Sequence, residues 1–502
     1  MRRLLRRLAS SLNSSGPARR LRWTCWETPH RPPARTPFLT PPRRHALCLS
    51  GPVPRLPQPV PLLLACLLTT ALGCGAGESQ FPANRVYLKK QELAAQLELS
   101  EQQRQDIVSV LEFLFGTPDA PRVPDLPAVD VRHVLPLEPL QVAAGPVSSD
   151  QLGRPQGLYR KHCAHCHGLS GDGAGPTAWF LEPYPRDFRR GIFKYKSTPG
   201  PLAPPTHDDL TRHIRSGNPG SPMPAFNLLP DEELEAVAVY VKYLAIRGEV
   251  ERELIFESVD QLDEYDRLVD CSLQDDDPEE FAEQLAPVQA TLSGIVRRWR
   301  DAPQQMTQVP PPSAGWNSAD SIRRGQQLFA GNVANCVKCH GPTGRGDGQN
   351  VDYDDWSREI VDPQNPSAIA PFLAAGALPP SPSQPRNLQD GIYRGGSRPE
   401  DLYRRILDGI AGTPMPAVAL QPPDAKPGDQ RLTPDDVWHL VAYVFSLADS
   451  QDASLAPTPE TPPASGTVTG RRDRSVHFSR LNIRSRAVAS SKESAINSSI
   501  LD

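Results

Sequence analysis

Long hydrophobic runs are scarce in these 502 residues. The longest, Val60 to Gly73, falls well short of the ~20 apolar residues a membrane-spanning helix needs, which excludes a polytopic membrane protein. Aromatics make up only 6% of the chain and apolar residues 38%, so its cores must be small. A disulfide framework is missing as well. Of nine cysteines, Cys25, Cys48, Cys66 and Cys74 fall in the first 74 residues, and four of the other five form two tight C-x-x-C pairs. Excess acid or base is hidden by the total of −4: residues 1–60 hold twelve arginines and one acid, Glu27, so the rest is strongly acidic. An acidic body repels phosphate, and no nucleic-acid partner is expected. Proline abounds, with 57 residues in 502, roughly twice the usual ~5%. Small domains joined by long loops and linkers are the expectation.

The start of the chain reads as targeting. Val60 to Gly73 is an apolar segment with Arg55 just upstream and small residues at its end, the layout of a secretory signal peptide. The box Ala71-Leu72-Gly73-Cys74 resembles a bacterial lipoprotein cleavage site, with alanine where leucine is commoner. That resemblance implies cleavage before Cys74, lipidation of its thiol, and a chain held on the periplasmic side of a bacterial membrane. A simple signal peptide or an uncleaved anchor, with Cys74 incidental, is the alternative. Residues 1–52 are too long and too rich in Arg, Pro and Ser for a signal n-region, so translation is expected to start further in, near Val53.

One module then occurs twice. Cys163-Ala164-His165-Cys166-His167-Gly168 and Cys336-Val337-Lys338-Cys339-His340-Gly341 are both C-x-x-C-H-G. Two thiols three positions apart fit one helical turn and can form thioethers to the vinyl groups of one haem, while the adjacent histidine reaches the iron. A redox dithiol or half a zinc site would explain one C-x-x-C. Zinc would need both pairs on one metal, and 173 positions separate them.

The flanks repeat too. Tyr159 and Phe329 precede the two motifs; Pro185-Arg186-Asp187-Phe188 and Pro385-Arg386-Asn387-Leu388 follow them. Next come Gly191-Ile192-Phe193 and Gly391-Ile392-Tyr393, then Pro222-Met223-Pro224 and Pro414-Met415-Pro416. Each copy closes on an amphipathic helix, with Leu234, Val237, Val241 and Leu244 on one stripe and Val437, Leu440, Val444 and Leu447 on the other. Thr433-Pro434 starts the later helix and Gly248 is expected to stop the earlier one. Apart from Met1 the chain has three methionines, and two of them, Met223 and Met415, lie in Pro-Met-Pro. Proline on both sides makes an extended, stiff loop that can hold a thioether over a haem face. Met306, in a Gln/Pro linker, is assigned nothing.

Each repeat resembles a class I cytochrome c domain, and is similar to those that accompany bacterial quinol oxidoreductases and C-family haem-copper oxidases. The resemblance covers residues 148–248 and 318–449. It implies an all-α chain of two tandem domains, each wrapped around a covalent haem c, two haems in total. Cys163, Cys166, Cys336 and Cys339 would carry them, with His167/Met223 and His340/Met415 as axial ligands. Arg186 and Arg386 could pair with propionates or be ordinary solvated arginines. His207, His213 and His439 are expected at surfaces or interfaces, and His133, His162 and His165 have no role assigned. The first copy departs in having Pro155 where a glycine is expected four residues before Tyr159. The second carries extra residues before Cys336 and a long insertion, 341–384, with Asp352, Asp354, Asp355 and Trp356, expected to alter the second haem.

Around these domains lie a targeting segment (1–78), a helical accessory region (79–147), a helical and Pro-rich linker (249–317) and a tail without apolar periodicity (450–502), expected to be disordered. Ser100 to Gln103 resembles a capping box, and Ile107, Val110, Leu111 and Leu114 give its helix an apolar face for packing. The acidic run Asp275 to Glu280 reads as solvated linker and Cys271 as an inert thiol. Two matching Pro-Met-Pro loops favour an electron carrier exchanging electrons with respiratory partners: a quinol-oxidising complex, a terminal oxidase or a reductase. The alternative is a haem enzyme of the di-haem peroxidase or thiosulfate-oxidising class, which needs an open position on one iron.

Overall fold

A computed structural model describes residues 79–147, 156–349, 352–362, 365–422, 424–426 and 430–455. Cys74, the expected signal segment and residues 456–502 of the expected disordered tail lie outside the described residues, whereas residues 450–455 of that tail are the end of a helix. The described chain is all-α apart from a two-residue antiparallel ladder, β1 (Asp352–Tyr353) with β2 (Pro382–Ser383).

In chain order the main helices are α1 (Arg85–Ala95), α2 (Glu101–Phe115), α3 (Leu137–Ala143), α4 (Leu158–His162), α5 (Ala164–His167), α6 (His207–Ser216), α7 (Asp231–Gln261) and α8 (Pro278–Arg300). They are followed by α9 (Ala319–Ala330), α10 (Val337–His340), α11 (Asp355–Arg358), α12 (Ala370–Ala374), α13 (Pro399–Asp408) and α14 (Pro434–Leu455). Ser100 caps α2 through a reciprocal capping box with Gln103, and Thr433 caps α14 in the same way with Asp436.

The expected stop at Gly248 does not occur. Helix α7 runs on to Gln261, and every residue from Ala236 to Glu251 is buried. The single stripe from Leu234 to Leu244 is therefore only one of its faces. An all-apolar run such as Ala236-Val237-Ala238-Val239-Tyr240-Val241 belongs to a helix covered on all sides. The turn over residues 188–190, α4 and α6 cover one part of it; α1, α2, α3 and α8 cover the rest. Tyr243 shows this joint core: its ring lies 5.8 Å from that of Phe115, and its hydroxyl donates to the Phe115 carbonyl at 2.6 Å. Gly248 sits where a turn over residues 188–190 crosses the helix. A Cβ there would lie 2.3 Å from Arg189 Cα, so the glycine serves close approach and not termination.

The accessory region, the first haem-motif domain and residues 249–299 thus share one continuous core. Helix α8 returns along α7, and Trp299 Nε1 donates to Glu249 Oε1 at 2.8 Å. Asp277, from the acidic run, caps α8 by accepting from the Glu280 N–H at 3.2 Å. The second domain has its own core, centred on the crossing of α9 and α14. Gly325, four residues before Phe329, makes that crossing possible: a Cβ would stand 2.0 Å from the His439 carbonyl oxygen. The first copy lacks this glycine, and its leading helix is correspondingly short, only α4 starting after Gly157.

Candidate functional site

The two C-x-x-C-H segments fold alike. In each, the first cysteine stands at the N-terminal end of a one-turn helix, α5 or α10, that ends on the histidine. Gly168 and Gly341 close these turns at φ 74°, a backbone region that favours glycine. The chain then loops back so that Gly173 N–H donates to the His167 carbonyl at 3.0 Å and Gly346 N–H to the His340 carbonyl at 2.9 Å. Cys163, Cys166, Cys336 and Cys339 are all free thiols. Burial pushes Cys163 up to about 12 and Cys336 to about 11, so neither is a ready thiolate.

The histidines are oriented by the Pro-Arg segments. His167 Nδ1 lies 3.1 Å from the Arg186 carbonyl and His340 Nδ1 3.2 Å from that of Arg386. A carbonyl only accepts, so Nδ1 carries the proton and each Nε2 keeps its lone pair for a metal. Burial lowers His167 to about 4 and lowers His340 as well, which favours the neutral, ligating imidazole. Phe188 stacks on the His167 ring at 4.6 Å and fixes its plane.

The methionine loops are held by matching bonds. Met223 N–H donates to Ser221 Oγ at 3.3 Å, and Met415 N–H to Thr413 Oγ1 at 3.2 Å. Their carbonyls accept from Asn218 N–H and Ile410 N–H, both at 3.1 Å. The first cavity is lined by His162, Cys163, Cys166, His167 and Met223 together, so both thiols, the imidazole and the thioether of repeat one meet in a single space. His213 also lines it, against the Tyr195 ring at 5.4 Å, and is therefore a cavity residue and not a surface one. Outside the cavity, His207 bonds Glu235 at 2.5 Å and His439 bonds Ser321 at 2.7 Å.

At one end of that cavity positive charge outruns its partners. Arg186, Lys194 and Arg394 line it. Arg186 Nε and Nη2 and Arg394 Nε are buried with no hydrogen-bond partner. Burial, with Arg186 nearby, lowers Lys194 to about 8. Orphaned buried donors beside crowded cations call for an anion. The two carboxylates of a haem c are such an anion, and the thiols, imidazole and thioether lie in the same cavity. The residues present fit the group.

Two lining residues, Asp354 and Trp356, come from the second domain's insertion. It was expected to act on the second haem; the fold brings part of it to the first site. The domains also touch reciprocally. A Cβ on Gly220, three residues before Met223, would lie 2.7 Å from Arg386 Nη2 and 3.2 Å from Ile392. One on Gly412, three residues before Met415, would lie 3.1 Å from Arg186 Nη1 and 3.3 Å from Ile192. Each contact is the repeat-equivalent of the other, as across a local two-fold axis. Tyr195 packs on Gly395, its own equivalent, where a Cβ would lie 2.4 Å from the ring.

Residues 150–241 match the family described as cytochrome c oxidase, cbb3-type, subunit III, and residues 322–448 match the cytochrome c family. No curated protein matches the chain. Among solved structures, a chain of the Kuenenia stuttgartiensis reducing HAO-like protein complex is 24% identical with a TM-score of 0.37, covering 60% of this chain and 98% of that one. Cytochrome c domains bind haem c covalently and transfer electrons through its iron. The chain carries two cytochrome c-type domains in tandem, over residues 150–241 and 322–448.

Proposed function

We propose that this chain is a di-haem electron carrier in which the two haem sites exchange electrons directly. Cys163 and Cys166 would hold one haem c, and Cys336 and Cys339 the other. His167 and Met223 would ligate the first iron, His340 and Met415 the second. Each bound haem supplies a reversible one-electron couple. The observation that carries the reading is the reciprocal contact just described: Arg186 reaches the loop of Met415, and Arg386 the loop of Met223. The arginine ends of the two sites therefore face each other. Arg394 strengthens the join by donating to the Gly220 carbonyl at 2.7 Å.

The matching Met loops favour a carrier over a peroxidase or thiosulfate-oxidising enzyme. The backbones of both Met loops are held by matching bonds, so neither loop is the looser one that an open iron requires. The outer partners would be respiratory, a quinol-oxidising complex on one side and a terminal oxidase or reductase on the other. The location would be the periplasmic face of a bacterial membrane, through a lipid on Cys74.

Intact mass and ferric spectra test this reading. The mature protein should exceed its apo mass by two haem units, show His/Met ligation at both irons, and stay unreactive toward peroxide. One haem per chain, or one high-spin, peroxide-reactive haem, would defeat it. Cys74→Ser should release the protein from membranes; retention would count against the lipid anchor.

A further inference from the structure

The insertion after the second C-x-x-C-H-G is strapped to the other half of the protein. Glu359, just after α11, faces three cations there: Lys90 at 3.6 Å, Arg190 at 3.1 Å and Arg252 at 3.5 Å. Ser381 Oγ donates to Glu182 Oε2 at 2.9 Å, and Lys194 Nζ stands 3.7 Å from Asp354 Oδ2. Ile360, Phe372 and Ala377 form a small apolar core with Val86 of α1. Asp355 N–H donates to the Gly412 carbonyl at 3.3 Å, which ties α11 to the loop of Met415 as well.

The strap delivers Trp356 to the wall of the first cavity, beside Arg186, Lys194 and Arg394. Its Nε1–H is buried and has no partner within the protein. An indole nitrogen can only donate, and a buried donor left unmet costs about 1–3 kcal/mol. Of the acids that line the cavity, Asp354 is engaged with Lys194, Asp187 with Arg189, and Asp209 with Ser197, Thr206 and Arg212. The acceptor that would satisfy Trp356 is therefore an anionic group inside the cavity. The corresponding segment of repeat one, residues 168–184, is shorter than 341–384 in repeat two, and its own tryptophan, Trp179, is exposed and stacks on Phe180.

We propose that Trp356, supplied by the second domain, donates a hydrogen bond to a propionate of the first haem and selectively raises that haem's reduction potential. The proposal rests on the di-haem reading above. The physical link is electrostatic. A donor on the propionate withdraws negative charge that would otherwise stabilise ferric iron. Trp356 is thus a positioning residue for the first haem, acting from the domain of the second.

The test is a redox titration of the full-length holoprotein and its Trp356→Phe variant. Both are also prepared with Met415→Ala, which moves the second couple away and assigns the first. The reduction equilibrium constant of the first haem should fall about three- to tenfold in Trp356→Phe, tenfold being about 59 mV for one electron. The second couple should stay in place. Glu359→Gln, which loosens the strap without touching the indole, should reproduce the selective fall and covers a Trp356→Phe protein that fails to mature. An unchanged first couple, or equal shifts of both couples, overturns the proposal. A parent with no haem on Cys163 and Cys166 would instead sink the di-haem reading itself, and the proposal with it.

Discussion

Gly248→Ala separates two explanations of the same residue. In an ordinary helix interior, alanine is favoured over glycine by about 1 kcal/mol. Gly294, in α8, is such an ordinary position: it is exposed and a Cβ there meets nothing within 4 Å. Gly294→Ala should therefore stabilise the protein by about 0.5–1 kcal/mol. At Gly248 a new Cβ would stand 2.3 Å from Arg189 Cα and 2.4 Å from its Cβ, closer than real side chains come. Backbone cannot swing aside as a flexible side chain can. Arg189 is further fixed by its bidentate pair with Asp187, at 3.0 and 3.1 Å. Overpacking of this kind costs about 1–3 kcal/mol, against which the helix gain of about 1 kcal/mol is set. Gly248→Ala should thus be neutral to about 2 kcal/mol destabilising, which sets it about 0.5–3 kcal/mol below Gly294→Ala. The turn that must move carries Phe188, the residue stacked on His167, so Gly248→Ala should also perturb the first haem's ferric spectrum while Gly294→Ala leaves it unchanged. The assay is the denaturation midpoint of the holoprotein at constant slope, read beside that spectrum. If Gly248→Ala stabilised as much as Gly294→Ala with an unaltered spectrum, the close helix–turn contact would be refuted.

Met223→Ala and Met415→Ala should each free one iron position, lower that haem's potential and create carbon monoxide binding absent from the parent; binding in the parent itself would contradict the two fixed Met loops. Asp436→Asn should destabilise the second domain at neutral pH by about 1 kcal/mol. Burial acts to raise the Asp436 carboxylate, but the bonds from Thr433 and Arg324 outweigh it and hold the group below its ordinary value. A depressed carboxylate contributes stability that is present above about pH 4 and lost as pH falls through the folded value. The Asn penalty should therefore shrink in acid, and a penalty independent of pH would show that charge is not its source.

The chemistry of the site was legible because it is local. C-x-x-C-H-G fixes its own turn within six residues, and Pro-Met-Pro fixes an extended loop, so Cys163 to His167 and Met223 could be read without knowing the fold. The capping of α2 by Ser100 and of α14 by Thr433 was legible for the same reason. What could not be read depends on contacts between distant segments. Gly248 carries a helix-stop signal in sequence, and only the crossing turn at Arg189 shows that it serves close approach. The run from Ala236 to Tyr240 did carry a signal that α7 is covered on all sides, because one stripe does not need alanine and valine on every face. His213 carried a signal as well, since it stands three residues after Leu210 and next to Ile214, the two apolar residues that turn one face of its helix inward.

The insertion shows why an internal repeat can mislead about the one place where the copies differ. Reading 341–384 as a modifier of the second haem assumes that extra residues serve the domain that contains them. That holds for domains strung on a linker, where each insertion finds only its own surface. Here the domains meet through equivalent residues, Gly220 on Arg386 and Gly412 on Arg186, so each Met loop lies against the other domain. An insertion rooted near this junction can reach the neighbouring site as easily as its own. Charge then decides between them: Glu359 and Asp354 find Lys90, Arg190, Arg252 and Lys194 on the first half. Near-equivalent sites are in this way made unequal by one segment, and on the reading proposed above an electron shared between two haems of unequal potential would have a direction.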